Sequence, residues 1–279
     1  MSYASLLEDR SVIAIKGAEA RSFLQGLISN DMAACAPGKG IYAALLTPQG
    51  KVLFEFFVTE HDGRFLLDCA AVRAPELVKR LTFYRLRAKI DIALAVELRT
   101  AALWNGAVEA PAISGIAAFP DPRLPALGLR LIGPLPLVQT AMAGAELASY
   151  RRYALKLGVP DSADVPPDSV FALDAGLEEL GGVDFKKGCY VGQEVTARMK
   201  HRASARRRFL IAEIEGDLPP PGTKLEVSGR EVGTLATGTD GRALALVRLD
   251  RVSEADSAQE DITAMGQKVR LRRPSWLQS

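Results

Sequence analysis

Three runs near the start of the chain fix the kind of sheet it can build. Ile41 to Thr47 reads as a strand, Pro48-Gln49-Gly50 as a turn, and Lys51 to Thr59 as the return strand. Val52, Phe54, Phe56 and Val58 lie two apart and share one face. Asp62-Gly63 is a second turn, and Arg64 to Asp68 a third strand. Strands joined by such short turns pair antiparallel, because parallel neighbours need a crossover of a dozen residues or more. Around them, Ser11 to Ile15 reads as a strand, and Ala20, Phe23, Leu24, Leu27 and Ile28 recur at helical spacing. Pro75 opens a helix whose buried stripe is Leu77, Val78 and Leu81. Ile90, Ile92, Leu94 and Val96 alternate with polar residues as a half-exposed strand. The order predicts an α+β fold with antiparallel sheets. No Gly-x-Gly-x-x-Gly follows a strand and no P-loop is present.

Leu98 to Trp104 continues as a strand. The proline-rich stretch from Pro111 to Pro136 holds one further strand, Leu127 to Ile132. Leu147, Tyr150, Ala154 and Leu157 mark a helix stopped by Gly158, with Arg151, Arg152 and Lys156 on a solvated face. Val159 to Phe185 reads as irregular. Short strands at Phe209 to Glu215, Thr223 to Val227, Glu231 to Thr237 and Ala243 to Asp250, separated by glycine and proline turns, predict a small barrel. The expected organisation is an α+β sheet unit over residues 1–97, a second over 98–205, and a β-barrel over 206–279, set around a central opening.

With 279 residues, 48% hydrophobic, the chain is long enough for a substantial core. A net charge of +2 gives no global drive toward nucleic acid or membrane. The first ten residues lack the basic start and apolar core of a signal peptide, and no apolar run is long enough to span a bilayer. Cys35, Cys69 and Cys189 are scattered and odd in number, so a reducing cytoplasm is the expected setting. With two histidines and three cysteines, the chain is not expected to hold a metal alone, although it has the means to share one with a partner.

The chemistry concentrates between Lys186 and Arg198. Gly188 and Gly192 bracket Cys189 and Tyr190, and Gln193, Glu194 and Arg198 follow. Two readings stand on these residues alone: a hairpin around a buried Cys, or a site. Lys186, Lys187 and Arg198 are placed to raise the thiolate fraction of Cys189, and Glu194 would oppose them. The basic run from Met199 to Arg208 is either a soluble linker or a seat for a carboxylate or phosphate.

Lys187-Gly188-Cys189-Tyr190, then Gly192-Gln193-Glu194 and Thr196-Ala197-Arg198, resembles the signature of the YgfZ family of folate-binding proteins. Phe23 to Asp31 resembles the Phe-Leu-Gln-Gly…Asn-Asp element near the start of that family and of the glycine-cleavage T-proteins. The resemblance implies a T-protein-like fold, a role in iron–sulfur cluster assembly or repair, tetrahydrofolate as the ligand, and iron–sulfur client or assembly proteins as partners. It also implies site roles. Asp174, in Ala172-Leu173-Asp174-Ala175-Gly176, matches the position of a folate-contacting glutamate. Lys187, Gly188, Tyr190, Gly192, Gln193, Glu194 and Arg198 would form the folate site with it: the carboxylates for the pterin amino and ring N–H groups, Tyr190 as a stacking face. Cys189 would be the reactive group.

One departure concerns the competing reading, a folate-dependent aminomethyltransferase. The T-proteins carry an acidic pair after a glycine pair. Here the aligned stretch is Gly50 to Glu55, with Phe54 in place of one acid and Glu55 of the other. A third reading is a binding module whose Cys189 is buried and inert.

Overall fold

A computed structural model of the chain describes residues 2–105, 110–111, 113–202 and 206–277. The first part contains β1 (Tyr3–Leu6), β2 (Arg10–Lys16), α1 (Ala20–Gln25), β3 (Ile41–Leu46), β4 (Val52–His61), β5 (Arg64–Ala70), α2 (Ala74–Arg85) and β6 (Asp91–Leu94). Next come β7 (Leu98–Trp104), β8 (Ala117–Pro120), β9 (Leu129–Pro134), α3 (Leu135–Ala141), β10 (Glu146–Leu147), α4 (Tyr150–Lys156) and α5 (Gln193–His201). The last part holds β11 (Arg207–Ile214), β12 (Lys224–Val227), β13 (Arg230–Thr239), β14 (Arg242–Arg248), α6 (Leu249–Ala258), β15 (Ile262–Ala264) and β16 (Gln267–Arg272).

These strands form two five-stranded sheets and a closed barrel, the α+β arrangement the sequence implies. The first sheet runs β3-β4-β5-β2-β6, every neighbour antiparallel. The second runs β10-β1-β7-β9-β8, so the strand nearest the N-terminus pairs with β7 rather than with the first sheet. The barrel closes where β11 pairs with both β14 and β16.

The first sheet is buried on both faces, and the alternation in β4 explains how. Phe54, Phe56 and Val58 pack with Leu24 of α1 and Leu77 and Leu81 of α2. Phe57 points the other way, into a core shared with Phe119 and Ile132 of the second sheet and Phe209 and Ile211 of the barrel; Val52 joins it there, off the face its spacing predicts, because the β3–β4 register shifts between Leu45 and Leu46. Each large side chain so buried contributes about 1.5–3 kcal/mol.

Several elements depart from the sequence reading. α1 ends at Gln25, and the chain turns so that Ile28 bridges Leu45. Glu146–Leu147 pairs with β1 as a strand instead of opening a helix; α4 starts after Ser149, whose hydroxyl caps it by accepting from Arg152 N at 3.2 Å. Arg151 is not on a solvated face: it is ion-paired to Asp161 and, at 2.9 Å, to the buried Asp164, which also accepts from Thr237 N of β13. The last predicted strand stops at Arg248, and Asp250 enters α6. Ala203 to Ala205, inside the basic run and at the expected 205/206 boundary, lie outside the described residues.

Among the described residues the expected central opening is not wide where the cores of the units meet. A buried charge network fills that space. Asp68 of β5 accepts from Arg10 Nε of β2 at 2.7 Å and from Arg130 Nε of β9 at 3.0 Å. Asp121 accepts from Arg123 at 2.8 Å, Arg130 at 3.3 Å and the Tyr150 hydroxyl at 3.0 Å. Glu55 accepts from Arg10 at 3.0 Å and from Ser162. Three guanidinium groups thus balance three carboxylates. All three cations also sit over the Phe57 ring, Arg130 at 3.8 Å, Arg123 at 4.8 Å and Arg10 at 5.4 Å from its centre. The residual cavity beside them is about 50 Å³, room for one or two waters.

Burial pushes the Asp121 carboxyl up, but the Arg123 charge and hydrogen bonds, with Arg130 behind them, outweigh it and hold the group at about 2. Glu55 and Asp68 are lowered by the same balance, with Arg10 the leading opponent of burial. A folded value below the unfolded one means stability that is whole above about pH 4 and lost as pH falls toward about 2. Urea unfolding should therefore give a free energy that drops steeply between those values. Asp121→Asn should flatten the drop by roughly 2 kcal/mol while costing about 3 kcal/mol at neutral pH. Equal acid sensitivity in the variant would contradict the assignment.

Candidate functional site

The signature stretch is a turn followed by a helix, and the turn is held from one side by the first unit. Gly192 sits at φ +83°, and a Cβ there would lie 2.5 Å from Thr47 O and 2.9 Å from Leu46 Cβ. Only glycine permits the 47–50 turn to approach so closely. Gly50 in turn meets Val195 of α5 at 3.1 Å from its own hypothetical Cβ. Gln193, the first residue of α5, folds back to accept from Tyr190 N at 3.2 Å.

The Phe23–Asp31 element supplies the other anchor. Gln25 Nε2 donates to Lys187 O at 3.1 Å, and its Oε1 accepts from Met32 N at 2.8 Å. Lys187 Nζ donates back to Ile28 O at 2.7 Å and to Gln25 O. Ser29 Oγ donates to Gly182 O at 2.6 Å, Asp184 N to Ser29 O at 3.0 Å, and Asn30 Nδ2 to Gly181 O at 2.7 Å. Two motifs about 160 residues apart thus form one structure, with the donors of the first closing the carbonyls of the second. Burial lowers Lys187 to about 8, against the pull of Asp31 and Asp184.

These anchors leave Cys189 exposed, whereas Cys35 and Cys69 are buried and burial pushes both thiols up to about 12. The inert, buried Cys189 of the binding-module reading is not what the fold builds. Gly188, at φ +95°, has nothing within 4 Å of its Cβ position, which keeps that side of the thiol open.

The other expected site residues divide. Tyr190 is buried in the shared core with Lys187 Nζ 4.9 Å from its ring centre, so the ring is not an open stacking face. Glu194 and Arg198 form a solvent-facing pair at 3.4 Å on α5, with side chains 86% and 62% exposed. Asp174 faces the barrel: its carboxylate, almost fully buried, accepts from Arg207 N and Arg207 Nε, both at 3.2 Å. Of the basic run, Met199 to His201 complete α5, and Arg208 pairs with Glu179 at 3.1 Å. The Asp174 segment and α5 share the 47–50 turn, because Ala172 N donates to Gly50 O at 3.1 Å. Arg207, in the basic run read as a linker or a carboxylate seat, does meet a carboxylate, that of Asp174. That its partner is Asp174, 33 residues away, follows from the docking of the barrel and was not readable in the sequence.

Two of the residues that the resemblance assigns to the pterin are engaged within the chain. Asp174 is closed by Arg207, and the Tyr190 ring is covered. Glu55, at the T-protein acid position, is committed to Arg10 and held low, which makes it a poor base. Among the described residues no group of three or more His, Cys, Asp or Glu side chains is arranged to hold a metal.

The chain is 33% identical over 280 residues to the human mitochondrial iron–sulfur cluster assembly factor IBA57, covering 88% of this chain and 77% of that protein. The chain belongs to the IBA57 family. The mouse relative is 30% identical over 282 residues with the same shares. Residues 206–279 match the CAF17 C-terminal beta-barrel domain. The solved aminomethyltransferase T of the glycine cleavage system from Bartonella henselae superposes with a TM-score of 0.78, over 99% of this chain and 86% of that one, at 15% identity. That likeness shows the T-protein fold.

Thiol chemistry separates the three cysteines. Iodoacetamide under native conditions should label one site per chain, Cys189, and all three in denaturant, as peptide mass spectrometry would show. Labelling of Cys35 or Cys69 in the native protein at a comparable rate would overturn the placement.

Proposed function

We propose that this chain is an iron–sulfur cluster assembly factor in which Cys189 meets the iron or cluster being delivered. The observation that carries this reading is an exposed thiol on a turn bolted to the protein core on both sides. One thiolate is too few for a resident cluster, which needs about four ligands. Cys189 therefore acts with ligands from a partner or client, and the cluster is cargo. The family supports the role, since the relatives are named for it. Turnover of the aminomethyltransferase kind finds little support, because Glu55 is spent inside the charge network.

Reduced folate is a second proposed ligand, resting on the signature and on the Asp174 carboxylate. Binding at Asp174 requires Arg207 to give way, so Arg207→Ala should bind tetrahydrofolate more tightly than wild type in calorimetry and Asp174→Ala should not bind it. No heat with wild type or Arg207→Ala removes folate from the account. A reducing compartment, which we take to be cytoplasmic, suits two buried free thiols and one exposed one; the relatives are named as mitochondrial. Among the described residues no helix is long and apolar enough to cross a membrane.

The direct test is complementation of a strain lacking the wild-type copy. Cys189→Ser should fold with an unchanged melting temperature yet leave iron–sulfur enzyme activities at the level of the deletion. Cys35→Ser and Cys69→Ser should complement, since a hydroxyl can take over the thiol's bond to Val58 O or Ser11 O. Full complementation by Cys189→Ser would reduce this residue to structure.

A further inference from the structure

A second concave site lies away from Cys189, between α4, the end of β7 and the β13–β14 turn. Its volume is about 500 Å³, within the range of small-molecule sites and at a junction between units, where such sites favour forming. Its wall is aromatic. Tyr3 and Tyr153 face it, half-buried, and the buried Trp104 backs them, stacked on Tyr153 at 5.6 Å and 25° and tilted against Tyr3 at 5.9 Å and 33°. In a chain only 6% aromatic, three such rings in one wall concentrate a scarce residue type. The Tyr153 hydroxyl donates to Ala126 O at 2.9 Å, which fixes its ring against the wall.

The rim is cationic. Arg152, Lys156 and Arg242 converge on it from α4 and β14. Among the described residues Asp240 is the one acid at the rim, and Arg152 neutralises it at 2.7 Å. Arg242 pairs with Glu213 at 3.4 Å on the exposed surface, a contact worth little. Lys156 is exposed with no acid paired to it among the described residues. Neither the anchoring of Cys189 nor the charge network uses these cations.

From this geometry we infer a binding site for a flat aromatic small molecule that carries an anionic group. The ring lies on the half-buried Tyr3 and Tyr153 side chains, which the buried Trp104 backs, and the anion meets Lys156 and Arg242. Loss of either half of the ligand should weaken binding, since an apolar wall holds a ring without orienting it and exposed cations hold an anion only loosely.

The probe is 8-anilinonaphthalene-1-sulfonate, followed by fluorescence on the intact chain. One saturable site per chain is expected. N-phenyl-1-naphthylamine, with the same rings and no sulfonate, should bind about tenfold more weakly or worse. Lys156→Glu should raise the Kd by about tenfold, and Ala148→Trp, which fills the cavity, should abolish binding. Adenosine 5′-monophosphate and 1-naphthoate compete in separate arms: displacement by the first identifies a phosphate ligand, by the second a carboxylate. Cys189→Ser should bind as wild type. Circular dichroism and melting temperature check the variants; if Ala148→Trp fails to fold, Lys156→Glu and the neutral probe decide. Equal affinity for the neutral probe, wild-type binding by folded Lys156→Glu, or displacement by neither competitor would overturn the inference.

Discussion

Arg130 reaches across from the second sheet to Asp68 in the first, and the packing of the two sheets depends on that contact. Both groups are buried, so neither is tolerated without the other; removing one partner of such a pair costs about 3–5 kcal/mol. The same guanidinium touches Asp121, and Asp121 takes the Tyr150 hydroxyl from α4. Arg10 extends the chain of contacts to Glu55, and through Ser162 to the connector that leads toward the signature. Hydrophobic burial drives the units together, and the network decides how they are oriented. An apolar face tolerates sliding, whereas three carboxylates with fixed partners do not.

That fixed orientation is what places the thiol. The connector from Val159 to Phe185 is irregular, yet it is held by Asp164 and Asp174 to the barrel and by Ser29 and Asn30 to the first unit. The turn that follows inherits its position from those bonds. Lys187 then closes the end of α1 instead of pointing at Cys189, which changes the meaning of its charge. Its ammonium organises carbonyls, and the exposure of Cys189 follows from where the turn is anchored.

The first sheet was legible because β4 alternates from Phe54 to Val58 and its turns are marked by Pro48-Gln49-Gly50 and Asp62-Gly63. The barrel was partly legible: β15 has three residues and α6 follows β14 with no linker, so neither left a clear pattern. β10 was missed because a two-residue strand has no period. The network was invisible for a different reason. Arg10, Asp68 and Arg130 each look like the polar member of an alternating strand, and only the docking of two sheets makes that side an interior. In the site, the signature and the Phe23–Asp31 element were both readable as motifs, but not that Gln25 and Lys187 bond to each other. Asp174 was readable as an acid and not as an acid already occupied.

A double-mutant cycle on Asp68 and Arg130 tests the dependence most directly. Stability of the wild type, Asp68→Ala, Arg130→Ala and the double variant would be measured by urea unfolding at neutral pH. The account predicts single losses of about 3 kcal/mol or more and a coupling of about 2 kcal/mol, so that the double variant loses much less than the sum. Additive losses, with coupling within about 0.3 kcal/mol of zero, would show that the two sheets are held by their apolar faces alone.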